Sequence, residues 1–497
     1  MSFWENIVNA AMLGTDKKQI TANELTTDIE PAAAIIINDA ELEETEKLMR
    51  IAAVAMNYRR CGVVPTSNKD ADITIAQPEI NNYCSEKAFQ ILKEILDLES
   101  TPLLQLWLQH CQNNNLLVFP EIIPAIFDAA IKQKKLQALA SNCCGNRGIW
   151  LAAFNKAWAF STIASNEELW QTSLPEQRKT VFLQMRQTDI ILARQWLQQS
   201  WPQEDAETKT IFLQLMSDTV DAGDSDFLES LTTEKSKKVK DAALGLLKKI
   251  PSSTIVRQYW EAAKQLLSVT AEKKLFGLAQ KKKLQLNPSQ TIDAAIFKTG
   301  IEKLSNNKNF SDDAFVLYQL LQYVPLKNWE ELFGMQAEEI ISLFKQDEQF
   351  TQMLPALVHA AANFKDAVWA ESFIHLLDHF YVDLIALLPT AQQINYCNQF
   401  FTGNESQIIY WLSQQTAEWD IVITQKLMVY AAKQPYQYTK NFYHENIRLI
   451  PAAIKTQLLK FLPQEAQWQP HWHNMSDYIA KLIRLKEETI SSLNFKP

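Results

Sequence analysis

A chain of 497 residues, 47% of them hydrophobic, is long enough to bury a large core, but its 10 glycines supply few of the positive-φ positions that hairpins and phosphate-cradling loops need. A long β-meander or a nucleotide-binding α/β domain is disfavoured on that ground, and an all-α fold is expected. The net charge of −9 argues against a chain built throughout to hold nucleic acid.

The first residues, MSFWENIVNAAMLGT, carry Glu5 and no basic stretch before their short apolar run, so export is not expected. The apolar run at 31–38 falls far short of the roughly 20 residues that cross a bilayer, and a soluble chain with no membrane partner is expected. Six cysteines (Cys61, Cys84, Cys111, Cys143, Cys144 and Cys397) form no CxxC pair and are too sparse for a disulfide framework. A reducing cytoplasm fits them best.

In chain order, apolar periodicity predicts helices over 2–13, 40–60, 85–98, 102–111 and 120–132. Between the second and third, residues 61–83 hold Gly62, Pro65 and Pro78 among clustered polar residues and read as a long loop. Then Lys179-Thr-Val-Phe-Leu-Gln-Met185 recurs 30 residues later as Lys209-Thr-Ile-Phe-Leu-Gln-Leu215. A third copy is legible by pattern, because Val239, Ala242, Ala243, Leu246, Leu247 and Ile250 form one helical stripe. Short helical patterns at 189–199 and 224–231 follow the first two copies, giving helix–turn–helix units. One such unit cannot bury its apolar face alone, so the units are expected to stack into an α-solenoid. Their spacing is shorter than the roughly 40–47 residues of HEAT and armadillo repeats, and the array is HEAT-like only.

Beyond residue 309, helices are predicted over 311–323, 329–344, 350–363, 367–388, 391–400, 418–433 and 475–485, with no clean sequence repeat. The expected organisation is an N-terminal helical domain over 1–170, HEAT-like repeats over 171–305 and a C-terminal helical domain over 306–497.

Charge is uneven. Residues 235–303 hold 15 Lys and Arg against 5 Asp and Glu, whereas residues 1–100 hold 17 acidic against 9 basic groups. The basic stretch reads either as solvated, internally paired helix faces or as a docking surface for an acidic partner. On the second reading the surface comprises Lys237, Lys238, Lys240, Lys248, Lys249, Lys273, Lys274, Lys281, Lys282 and Lys283.

Signs of chemistry are few. His375-Leu-Leu-Asp378-His379 would set two histidines four apart on one helical face, as a metal pair requires, but has no third ligand at a suitable spacing. His471-Trp472-His473 lies in a Trp- and Pro-containing linker where packing of Trp468 and Trp472 is the better reading. Cys143 and Cys144 beside Arg147 suggest either an activated thiol or small core fillers, the second being commoner. Most of the 14 tryptophans stand beside leucine on helix patterns and read as core. No GxxxxGK[ST], GxGxxG, GxSxG or HExxH motif is present. No catalytic residue, metal or cofactor is assigned.

Three segments carry a resemblance: Tyr58-Arg-Arg-Cys-Gly-Val-Val-Pro65, Leu103-Leu-Gln-Leu-Trp-Leu108 and above all Cys144-Gly-Asn-Arg-Gly-Ile-Trp-Leu-Ala-Ala-Phe-Asn-Lys-Ala-Trp158. Over residues 1–251 the chain resembles a bacterial family of large helical proteins of unassigned function. Members of that family occur beside genes for MoxR-type AAA ATPases, von Willebrand A proteins and SWIM zinc-finger proteins. The resemblance therefore implies a component of such an ATPase-linked assembly. Within the third segment Gly145 and Gly148 suit a turn between helices at 135–142 and 149–159, with Arg147 capping carbonyls at a helix end or touching a partner. The expected function is a protein-binding scaffold or adaptor. A helical-repeat nucleic-acid-binding protein and a metal-dependent hydrolase centred on His375 and His379 are the alternatives.

Overall fold

The computed structural model describes residues 3–61, 75–161, 165–273, 280–288 and 292–494, so Lys274 and most of the expected loop at 61–83 lie outside the described residues. The chain divides into two compact units, Met1–Ile75 and Ala76–Pro497, a boundary well before residue 170. Among the described residues no helix is long and apolar enough to cross a membrane.

The first unit has three helices, α1 (Phe3–Leu13), α2 (Glu30–Ile37) and α3 (Glu44–Cys61), with α1 and α2 both packed on α3. Ile7, Ala10, Ile29, Ala33, Ile51 and Ala55 form its small core. The Tyr58 hydroxyl donates to the Asp28 carboxylate, and the Arg59 guanidinium lies 4.7 Å over the Trp4 ring.

The second unit opens with α4 (Glu86–Asp97), α5 (Thr101–Asn113), α6 (Ile123–Lys132), α7 (Gln137–Ala152) and α8 (Asn166–Thr172). Short strands β1 (Asn82–Tyr83) and β2 (Leu116–Leu117) pair in parallel beside them. Ser85 and Ser100 start α4 and α5 as side-chain caps, accepting from the Ala88 and Leu103 amides.

Next come α9 (Pro175–Thr188), α10 (Ile190–Ser200), α11 (Ala206–Leu215), α12 (Ser225–Ser230), α13 (Lys237–Leu247) and α14 (Thr254–Leu266). The helices that carry the repeated segments stand side by side, α9 against α11 and α11 against α13, while α10 packs on α9 and α12 on α13. Phe182 and Phe212, which occupy the same place in the two copies, are both fully buried and meet edge to face at 5.2 Å.

A buried ionic cluster ties these helices together. Arg186 of α9 donates to both oxygens of the Asp224 carboxylate at 3.0 and 2.8 Å, and Arg194 of α10 donates to it at 2.8 Å. Arg186 also reaches the Thr219 hydroxyl at 3.0 Å and the Thr219 carbonyl at 2.6 Å, and Arg194 reaches Asp221 at 2.8 Å. Asp224 is 0% exposed, so nearly every polar atom brought out of water here has a charged partner.

A hairpin then interrupts the helices: β3 (Leu267–Lys273) pairs antiparallel with β4 (Gln280–Leu286), with Leu267 opposite Leu286 and Val269 opposite Leu284. The expectation of helices throughout the basic stretch is corrected here. Apolar residues at 267, 269, 284 and 286 alternate with period two, which sets one face of the hairpin toward α14 and a later helix.

The remainder is α15 (Asp312–Leu321), α16 (Leu326–Phe333), α17 (Ala337–Phe344), α18 (Glu348–Thr351), α19 (Leu354–Asn363), α20 (Ala367–Leu376), α21 (Val382–Ile385), α22 (Thr390–Phe400), α23 (Glu405–Ser413), α24 (Ile421–Ala432), α25 (Lys440–Asn446) and α26 (Gln469–Leu493). Three of the predicted helices are each two: 329–344 is split between α16 and α17, 350–363 between α18 and α19, and 367–388 between α20 and α21. The first break falls at Gly334, which has φ 58° and ends α16 in the left-handed conformation.

The last helix of the second unit packs back on its first two. The 25-residue α26, eleven of whose residues are buried, lies against α4 and α5. Arg484 pairs with Glu94 at 2.6 Å, and the Ser85 hydroxyl donates to the Ser492 carbonyl at 3.5 Å. One continuous apolar cluster runs from Cys84 to Leu493.

Candidate functional site

Helix α13 forms because Val239, Ala243, Leu246 and Leu247 fall on one face and are buried, leaving the lysines on the other. Its far end is closed by Ser253, whose hydroxyl donates to the Leu247 carbonyl at 2.8 Å while accepting from the Val256 amide to cap α14.

Of the lysines singled out in the sequence, Lys237 and Lys238 are exposed at the start of α13 and Lys240 is half-buried. Lys248 and Lys249, just past the end of α13, turn inward. The Lys249 ammonium donates to the Ser217 hydroxyl at 2.6 Å and the Ser217 carbonyl at 3.1 Å, so it ties α13 to the turn after α11. Lys248 is half-buried, 4.8 Å over the Tyr323 ring and 5.7 Å from that of Tyr259. Burial pulls its pKa below the ordinary 10.5, opposed only in part by the charge of Asp241.

These residues meet in a cleft of about 650 Å³ between α13, the turn Ala294–Thr299, and the end of α15 with α19. Lys237, Lys248, Lys249, Lys298, Tyr323 and His359 line it, with Asp241. His359 Nδ1 lies 3.3 Å from the Gln322 carbonyl, which can only accept, so Nδ1 carries the proton. Lys298, Tyr323 and His359 were not singled out by the sequence, because only the fold brings them to α13. Lys273, Lys281, Lys282 and Lys283 stand on the hairpin strands, with Lys282 and Lys283 exposed.

Arg147 is exposed on α7 and is not part of the cleft. The turn expected around it is real but tighter. Helix α7 breaks at Gly145 alone (φ 60°, ψ −156°) and resumes at once. The capping group is Glu79, which accepts from the Asn146 amide at 2.9 Å and the Arg147 amide at 2.8 Å. Arg147 thus contributes its backbone N–H to a helix start, which corrects the reading of its side chain as a cap for carbonyls. A Cβ on Gly145 would stand 2.5 Å from Glu79 Oε2, and one on Gly148 would stand 3.1 Å from Phe127. Gly145→Ala is therefore expected to cost about 2–4 kcal/mol, from backbone strain and a displaced cap. Urea denaturation should show it, together with faster hydrogen exchange at the Asn146 and Arg147 amides. An unchanged midpoint would contradict this.

The histidine pair is not a shared helical face. His375 is in the last turn of α20, Leu377 is already extended (φ −110°, ψ 132°), and His379 lies beyond, with its ring edge on Tyr381 at 4.8 Å. His471 and His473 stand within α26 and not in a linker, exposed on either side of buried Trp472, whose indole N–H donates to the Leu458 carbonyl at 2.9 Å. Among the described residues no group of three or more His, Cys, Asp and Glu side chains is placed to hold a metal ion. Cys143 and Cys144 are buried, Cys143 donates to the Leu108 carbonyl at 3.3 Å, and burial pushes the Cys144 thiol well up. Burial pushes Cys84 to about 12 as well, so Cys84 and Cys144 are neutral core thiols and not nucleophiles.

No curated protein and no solved structure matches the chain. A family model matches residues 6–493, far past the limit at 251 that the sequence motifs reached, and the chain belongs to that family, a family of unknown function (DUF5691).

Proposed function

We propose that the chain is a cytoplasmic protein-binding scaffold in which α9 to α14 act as a HEAT-like array, and that an acidic surface of a partner protein docks on the start of α13. One observation carries this reading. Lys237, Lys238 and Lys240 all fall in the first turn of α13, where there is no acidic residue and Ser236 makes no side-chain cap. A helix start already bears about half a positive charge, and each lysine added there costs roughly 0.3–1 kcal/mol. Carboxylates from a partner would supply the missing negative charge and recover that cost. The resemblance to a family encoded beside MoxR-type ATPases and von Willebrand A proteins makes those proteins the first partners to test.

The test is capture of the MoxR-type ATPase or von Willebrand A protein of the same genome by the purified chain. Changing Lys237, Lys238 and Lys240 to Glu is expected to weaken capture about tenfold or more. The melting temperature should stay within a few degrees of the wild-type value, and wild-type capture should fall as salt rises. Capture unchanged by the triple substitution contradicts docking at α13.

A further inference from the structure

We propose that the inner end of the cleft beside α13 is a binding site for a small oligophosphate anion, independent of any protein docked on the exposed lysines. Lys238 and Lys240 do not line this cleft, so either reading can fail alone.

The lining has four lysines and one aspartate, a formal surplus of three positive charges, in a volume typical of small-molecule sites. Among the described residues no carboxylate lies within ion-pair distance of Lys237, Lys248 or Lys298. For Lys248 this matters most. Its ammonium is half removed from water, and the Tyr323 and Tyr259 rings attract the charge without neutralising it. A bound anion would restore what burial takes away.

Two glycines keep the space open. Gly245 sits inside α13, where glycine costs about 1 kcal/mol relative to alanine, yet a Cβ there would meet nothing within 4 Å. Packing does not require this glycine, and it lines the cleft. Gly300, in the left-handed conformation with φ 93°, would carry its Cβ 3.5 Å from the Lys248 ammonium, across the approach to it.

The cations also select the anion. Carboxylates are best matched by the planar, two-pronged guanidinium of arginine, and no arginine lines the cleft. Lysines act as point charges that converge on phosphate oxygens from several directions. One phosphate group carries about −1.5 to −2 charges, so two or three linked phosphates match the surplus.

Calorimetric titration of the full chain with inorganic tripolyphosphate, at fixed ionic strength, is expected to show saturable binding at one site. Lys248→Met should weaken it by about tenfold or more, and Lys134→Gln, on the separate turn Lys134–Leu136, should leave it unchanged. Gly245→Glu provides a second variant that favours the helix, has room for its Cβ and sets a carboxylate in the cleft; it should abolish binding while the melting temperature holds. Absence of saturable binding, equal binding by tricarballylate, or wild-type affinity in Gly245→Glu would overturn the proposal.

Discussion

Replacing Asp224 by alanine is expected to lower the stability of the second unit by about 3–5 kcal/mol, read as a fall in the urea midpoint. The size follows from what is left behind. Arg186 is 3% exposed, and without Asp224 its guanidinium keeps only the hydroxyl and carbonyl of Thr219 as partners, with no counter-charge. Arg194 retains Asp221 at the surface and loses less. Joint replacement, Arg186→Met with Asp224→Leu, should recover a good part of the loss, because it removes the buried charges together. A midpoint for Asp224→Ala within about 0.5 kcal/mol of wild type would show that the cluster does not hold the helices.

The same carboxyl gives the effect a pH signature. Burial pushes its pKa up, but the hydrogen bonds and charges of Arg186 and Arg194 more than offset this and hold it below the ordinary 3.8. A folded pKa below the unfolded one means stability that is fully present above 3.8 and is lost as pH falls through the lower folded value. The gap between wild type and Asp224→Ala should thus be constant near neutrality and close only in strong acid.

Leu482→Asp in α26 is expected to cost about 4 kcal/mol or more, since Leu482 is 0% exposed and the new carboxylate would have no partner. Its distinctive consequence is remote in sequence. Because α26 packs on α4 and α5, hydrogen exchange should quicken in Glu86–Asp97 and Thr101–Asn113, near the opposite end of the unit. Were those helices to keep wild-type protection while α26 lost its own, the closure of the unit through α26 would be refuted.

What could be read from sequence was what depends on neighbours within a turn or two. The helix type of most segments and the repeated segments that match Phe182 with Phe212 rest on local period and side-chain chemistry. Helix ends set by one glycine were missed, as at Gly334, because an apolar stripe runs on across the break. The break at Gly145 depends on Glu79, 67 residues before Asn146, and the pairing of Arg484 with Glu94 spans 390 residues. No periodicity reports contacts of that range. The lysines of α13 were legible as a charge excess. Their division into exposed Lys237 and Lys238, a tethered Lys249 and a cleft-lining Lys248 was not, because it depends on Ser217, Tyr259 and Tyr323.

Docking on α13 is tested most directly by hydrogen exchange of the chain alone and in complex with a captured MoxR-type ATPase or von Willebrand A protein. Slower exchange is expected in Lys237–Leu247 and the residues just before it, with Phe3–Leu13 and Glu44–Cys61 unchanged. Protection confined to Phe3–Leu13 and Glu44–Cys61, with Lys237–Leu247 exchanging as in the free chain, would contradict it and move the interface to the acidic N-terminal unit.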